Sequence, residues 1–352
     1  MKRALLLAAV AMMTAMNVSA QRIQVVDEEG NGIPLACVLT ANGTYIGTTN
    51  LDGVLADVKG AAKVTVSHVA YKPQQVTVAS LQDGRIVMED LNFGLKEIVV
   101  KPKPYIYVEV YYRVYVYRND SLCYFLTGIM PNAYDIQKKK LDYGSYMHAY
   151  SEYCSKRGAS ITWGARAQMY SAGQTGGHTT KELLKEKYFV TTDDSNPNLW
   201  VFSNPEGRVG QFVRDDGLAY ETFDAGRMQM YANKAKGETK VLERRQERSY
   251  EYQYTRVYKD NEDGEFNRTN FVMDCDHWEY NDKKGHVKFI IENYATDHDY
   301  MDQEEWKAKK KEIKTAYKGA LTLDQLAPYE QQHNIPALPV AVREAIGKLK
   351  KM

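Results

Sequence analysis

The sequence predicts a mainly β protein, α+β overall: an N-terminal seven-stranded β-sandwich followed by an antiparallel-sheet domain with C-terminal helices. Three observations predict it. Between residues 21 and 100, short segments of period-two apolar alternation are separated by Asn-Gly and Asp-Gly pairs. From residue 105 onward the alternating segments lengthen and fill with tyrosine. Beyond residue 302 the apolar period changes to that of a helix.

The first twenty residues stand apart from this pattern. Lys2 and Arg3 precede the apolar run LLLAAVAMMTAM, and Val18-Ser19-Ala20 supplies small residues for a signal peptidase. Residues 1–20 therefore read as a signal peptide, with cleavage before Gln21. The apolar run is shorter than the roughly 18–20 residues that span a bilayer, and no cysteine follows the cleavage point to carry a lipid. The expectation is export to the periplasm, the outer membrane's surface or the medium, with no transmembrane segment after cleavage.

Within 21–100, RIQVVDEEGNGIPLACVLT reads as strand, turn, strand. Asn42-Gly43 is a hairpin signal, because both central residues of a type I′ turn need positive φ, and Asp52-Gly53 and Asp83-Gly84 repeat it. AKVTVSHVAY, QQVTVAS, RIVMED and LKEIVV complete about seven strands, the pattern of a small sandwich. The segments IGTTNLDGVLADV (46–58), AKVTVSHVAYKPQQVTV (62–78) and LKEIVV (95–100), in this order, resemble the carboxypeptidase-regulatory-like domain. Leu55 stands where that family usually has Phe, and His68 and Ala70 replace Tyr and Gly of its SYVGYK segment. The resemblance covers about 80 residues. It implies a prealbumin-like sandwich of the kind placed at the front of exported envelope proteins, with no catalytic residues to carry over. Large outer-membrane receptors also bear such a domain, but the plug and barrel they need exceed the remaining length.

Lys101-Pro102-Lys103-Pro104 reads as a stiff linker (101–104), and residues 105–352 as the β-rich domain. YIYVEVYYRVYVYR (105–118) then alternates strictly. Ile106, Val108, Val110, Tyr112, Val114 and Val116 fall on one face, core-like. Tyr105, Tyr107, Glu109, Tyr111, Arg113, Tyr115 and Tyr117 fall on the other. Two charges and strict alternation exclude a membrane helix. SYEYQYTRVY (249–258) and NFVMDCDHWEY (270–280) lack a lipid-facing apolar band, which argues against an outer-membrane barrel. Tyrosine offers large contact area at low side-chain entropy. Tyr107, Glu109, Tyr111, Arg113 and Tyr115 are therefore the candidate ligand-binding residues, for an envelope protein, a peptide or a glycan. The competing reading packs the same rings under the C-terminal helices or ladders them across strands.

Between the strands, TKELLKEKY (180–188) reads as a short helix and GQTGGH (173–178), DDSNPN (193–198) and KDNEDGEFN (259–267) as loops. At the C-terminus, Asp302 with Glu305 has capping-box spacing. Trp306, Ile313 and Tyr317 give a narrow apolar stripe among solvated lysines, and Val342, Ala345, Ile346 and Leu349 form a stripe that should dock on the sheet.

The net charge of +1 argues against a general nucleic-acid or membrane-surface binder. Cys37, Cys123, Cys154 and Cys275 show no C-x-x-C spacing. Export permits one disulfide within the second domain, while Cys37 reads as a buried thiol. Asp274, Asp276, His277 and Glu279, with His286, Asp297, His298 and Asp299, carry metal-ligand chemistry, but alternation divides them between faces. No nucleophile elbow or phosphate loop is present. No cofactor is expected. The expected function is non-catalytic binding or assembly in the bacterial cell envelope, with a periplasmic carrier of an apolar ligand or an unrecognised hydrolase as the alternatives.

Overall fold

The computed structural model describes residues 22–91, 103–138, 140–156, 158, 189–193, 196–204, 207–215, 217–229, 249–259 and 270–352. The signal peptide expected at 1–20, the strand expected at 95–100, the helix expected at 180–188, and GQTGGH lie outside them, as does most of the loop expected at 259–267.

The N-terminal unit is a sandwich of seven strands: β1 (Ile23–Val26), β2 (Cys37–Thr40), β3 (Tyr45–Thr48), β4 (Val54–Leu55), β5 (Lys63–His68), β6 (Tyr71–Thr77) and β7 (Arg85–Val87). One sheet has the order β4-β1-β7 and the other β3-β2-β5-β6. Ile23, Val25, Val38, Val64, Val66 and Ile86 close the space between them. The Asn42-Gly43 hairpin forms between β2 and β3, but its loop is longer than a two-residue turn, and Gly43 alone of the pair has positive φ. Asp83 and Gly84 both adopt positive φ, yet their turn leads from one sheet to the other, since β7 pairs parallel to β1.

The remaining 13 strands form one sheet among the described residues. They are β8 (Tyr105–Arg118), β9 (Ser121–Asp135), β10 (Lys140–Gly144), β11 (Ala149–Cys154), β12 (Phe189–Asp193), β13 (Asn196–Asn204), β14 (Gly207–Asp215), β15 (Leu218–Gln229), β16 (Ser249–Lys259), β17 (Phe271–Asp282), β18 (Gly285–Met301), β19 (Gly319–Ala320) and β20 (Lys350–Lys351). β12 to β18 run as an antiparallel meander, and β18 then pairs with β8, so the order continues β18-β8-β9-β11. β8 and β9 are joined by Asn119-Asp120, both at positive φ, a type I′ turn without glycine. Asparagine and aspartate tolerate that conformation because their short side chains bond locally.

The helices are α1 (Gln303–Thr315), α2 (Leu323–Gln332) and α3 (Val340–Gly347). Asp302 caps α1 with the full capping box: it accepts from Glu304 and Glu305 backbone N–H, and Glu305 accepts from its own. Trp306 and Ile313 are buried as the stripe required, but Tyr317 lies past the end of α1 and is exposed. Val342 and Ile346 of α3 are buried. Among the described residues, no helix is long and apolar enough to cross a membrane.

Both faces of β8 are buried. Ile106, Val108, Val114 and Val116 join Leu126 of β9 and Val287 and Ile291 of β18 in one cluster. On the opposite face Tyr111, Tyr115 and Tyr117 share a cluster with Cys37, Leu39 and Tyr45 of the sandwich and with Leu326, Val342 and Ile346 of the helices. Tyr105 and Tyr107 pack farther along that face with Trp306 and Ile313 of α1. The sandwich, the three helices and the tyrosine face thus meet in one layer.

Candidate functional site

The candidate residues on β8 do not form an open surface. Tyr107, Tyr111, Arg113 and Tyr115 are between 0% and 6% exposed, so the face expected to bind a ligand is internal, and the competing reading, rings packed under the C-terminal helices, describes it. The physical reason is the two-part nature of the side chain. The ring bodies offer a broad apolar surface to the sandwich and helices, and each hydroxyl at the tip meets a carboxylate. Tyr107 donates to Glu109 Oε2 at 2.8 Å, and Tyr329 of α2 donates to Glu109 Oε1 at 2.6 Å. Tyr111 donates to Glu330 Oε1 at 2.5 Å and accepts from Thr127 Oγ1 at 2.8 Å. Tyr115 donates to Glu292 Oε2 at 3.0 Å, and Tyr294 to the same oxygen at 3.3 Å.

Arg113 lies at the centre of this lattice. It donates to Glu330 Oε1 at 2.8 Å and lies 3.9 Å from Glu292, its direct cross-strand partner. Burial works against the guanidinium charge, but Tyr115 and Glu330 outweigh it and hold its pKa above the ordinary arginine value. Burial pushes the Glu292 carboxyl up, and Arg113 with the hydroxyls of Tyr115 and Tyr294 reduces that shift without cancelling it. Asp297, opposite Glu109 across a bulge, is also pushed up by burial and by the Glu109 charge.

A cavity of about 30 Å³ opens where β8, β18, the sandwich and the segment before α3 meet. It is lined by Arg113, Tyr115, Glu292, Cys37, Ser67 and His68, among others. That volume admits about two waters and is too small for an acyl chain. Arg113 Nε is buried at its margin without a protein partner. Cys37, Ser67 and His68 are the residue types of a nucleophilic site, but their states are wrong for one. Burial pushes the Cys37 thiol up to about 12 and the His68 imidazole down to about 4, so both are neutral. His68 Nδ1 accepts from Ala70 N–H at 3.2 Å, and the Pro34 carbonyl faces the ring. An activated Cys–His pair needs a lowered thiol pKa and a ring nitrogen free to take a proton.

A third group fastens the sandwich to the sheet. Lys288 of β18, 1% exposed, donates to Glu279 and to the Tyr45 hydroxyl, and its ammonium lies 3.9 Å from the Tyr45 ring centroid. Burial raises the Glu279 carboxyl, but Lys288 and then His286, 3.2 Å away, reverse this and bring it below its ordinary value.

Apart from the Glu279–His286 pair, the acidic and histidine residues of β17 and β18 find separate partners. Asp274 accepts from Asn293 at 2.6 Å, His277 Nε2 lies 3.2 Å from Cys275 Sγ, and Glu279 pairs with Lys288. Among the described residues, no three His, Cys, Asp or Glu side chains gather as metal ligands. Glu292, Glu330, Tyr329 and Lys288 complete the buried lattice and were not singled out from sequence. Glu292 had a readable signal: it shares a strand face with Ile290 and Tyr294, where an unpaired charge has no place. Glu330 had none, because its partners lie over two hundred residues away. The chain matches no protein-family model, no curated protein and no solved structure.

Proposed function

We propose that the chain is a non-catalytic binding or assembly protein of the bacterial cell envelope, exported by its N-terminal segment and carrying a carboxypeptidase-regulatory-like sandwich. The observation that carries this reading is the use made of the tyrosine face. Its reactive-looking groups are consumed in holding sandwich, sheet and helices together, and the cavity at their junction keeps its thiol and imidazole neutral. The seven-strand, two-sheet fold of residues 23–87 fits the resemblance that suggested the family. The product is a fixed composite surface, suited to presenting strands and loops to an envelope protein, a peptide or a glycan.

Expression with the intact leader in a bacterial host, followed by fractionation and N-terminal sequencing, tests the location. Envelope recovery with Gln21 at the N-terminus is expected. Cytoplasmic recovery with Met1 retained removes the envelope assignment. Assay of the purified chain against ester, amide and glycoside panels tests the absence of catalysis. Turnover abolished by Cys37→Ser or His68→Gln, in folded variants, moves the protein to the hydrolases.

A further inference from the structure

All four cysteines are buried thiols in this structure; we propose that Cys123 and Cys154 are the pair that oxidises to a disulfide bolting β9 to β11, while Cys37 and Cys275 stay reduced. Strand register carries the inference. β11 pairs antiparallel with β9, with Cys154 opposite Tyr124, and Ser155 N–H donates to the Cys123 carbonyl at 2.9 Å. The peptide after Cys154 thus lies against the peptide after Cys123. Neighbours so placed fall in the α-carbon range that a disulfide spans, about 4.4–6.8 Å.

Simple alternation would place Cys123 on the face opposite to Tyr124, away from Cys154. The pairing of β8 with β9 shifts register here: Val116 faces Tyr124 and Tyr117 faces Leu122, which leaves Cys123 as the extra residue of a bulge. Two consecutive residues then face one side. Cys123 and Tyr124 both join the valine-face cluster, which also contains Cys154, while Leu122 and Phe125 pack on the tyrosine side. Gly158 sits over the pair: a Cβ there would stand 2.2 Å from the Cys123 carbonyl and 3.1 Å from Cys154 Sγ. Cys37 and Cys275 lie in the other cluster, on the far face of the sheet from this pair.

The oxidant is a disulfide of the dithiol-oxidase or glutathione class. One cysteine, as thiolate, attacks the oxidant's disulfide and releases a thiolate, giving a mixed disulfide. The second cysteine, losing its proton to solvent, displaces the other half, so two electrons pass to the oxidant and two thiols are released. Burial pushes the Cys123 thiol up to about 11, which makes this sulfur a poor attacking group once the strands have closed over it.

The test refolds the full chain with reduced and oxidised glutathione, alkylates free thiols under denaturing conditions, and maps peptides without reduction. The expected result is one cross-linked pair holding Cys123 and Cys154, alkyl label on Cys37 and Cys275, and a melting temperature that falls by several degrees on reduction. Cys37→Ser should leave the bridge intact, and Cys123→Ser should leave Cys154 labelled. Label on all four cysteines, or a bridge to Cys37 or Cys275, overturns the proposal. If Cys123→Ser fails to fold, peptide mapping of the unaltered chain still decides.

Discussion

Tyr111 and Arg113, two positions apart on β8, donate to the same oxygen, Glu330 Oε1. One carboxylate from α2 thus ends two side chains of the central strand and fixes the helix against the sheet. Glu330→Ala is predicted to cost about 3–5 kcal/mol, the usual loss when one partner of a buried pair is removed and the other charge stays buried. Replacing both residues, Arg113→Met with Glu330→Leu, should cost much less than the sum of Arg113→Met and Glu330→Leu made singly. Urea unfolding of the four proteins in a double-mutant cycle measures this.

The acid side of the stability profile should follow His68. Its folded pKa, about 4, lies below the ordinary histidine value of 6.5. The folded state binds the proton less well than the unfolded state. Its stabilising contribution is complete above pH 6.5 and is lost as pH falls through about 4. His68→Gln should flatten that limb, by on the order of 2 kcal/mol at pH 4 given the ring's partial solvent access. His277, also pushed down by burial, leaves a residual slope. Denaturant midpoints measured from pH 4 to pH 8 report the change.

Glu292 has the opposite sign. Its folded pKa is raised, so its contribution is present below the ordinary glutamate value and is lost as pH rises through the folded value. Glu292→Gln keeps an acceptor for Tyr115 and removes the ionisation. Relative to the parent, that variant should gain stability as pH rises, and the two should converge in acid. Thermal melts of both proteins across the same pH series read the convergence.

Because the sandwich and sheet share one apolar cluster, calorimetry should show them unfolding in one transition. Lys288→Met breaks the contact with Tyr45 and Glu279 and is predicted to cost about 3 kcal/mol, separating the sandwich's transition from the sheet's. Two transitions in the unaltered protein would show that the shared cluster does not couple the units.

Gly43→Ala tests the same junction from the helix side. Gly43 has φ of +80°, and a Cβ there would approach the Ala341 carbonyl of α3 to 2.7 Å. A loss of about 1–3 kcal/mol is expected, together with faster proteolysis near α3.

What could be read in advance was local. Alternation places Val114 and Tyr115 on opposite faces, Asn119-Asp120 turns β8 into β9, and Asp302 caps α1, each from residues within one or two turns of chain. What could not be read was which layer covers which face. Tyr115 looks the same in sequence whether its hydroxyl meets water or Glu292. That choice is made by α2, α3 and the sandwich, whose contacts with β8 leave no periodic trace. The chemistry followed the same division: β17 divides Asp274 and Asp276 from His277 as alternation requires, whereas the meeting of Cys37 and His68 with Arg113 needed the tertiary fold.

The order of strands also sets when the molecule can be finished. β8 and β9 can pair as soon as Asp135 has been made, but the other edge of β8 waits for β18. The partners there stand roughly 170 to 200 residues apart, so loop-closure entropy makes this a late step. Until it occurs, a valine- and tyrosine-rich hairpin presents an open row of backbone donors and acceptors, a template for pairing between chains. The rate at which β18 arrives, relative to encounters between unfinished chains, decides the yield of folded protein, and dilution during refolding should raise it.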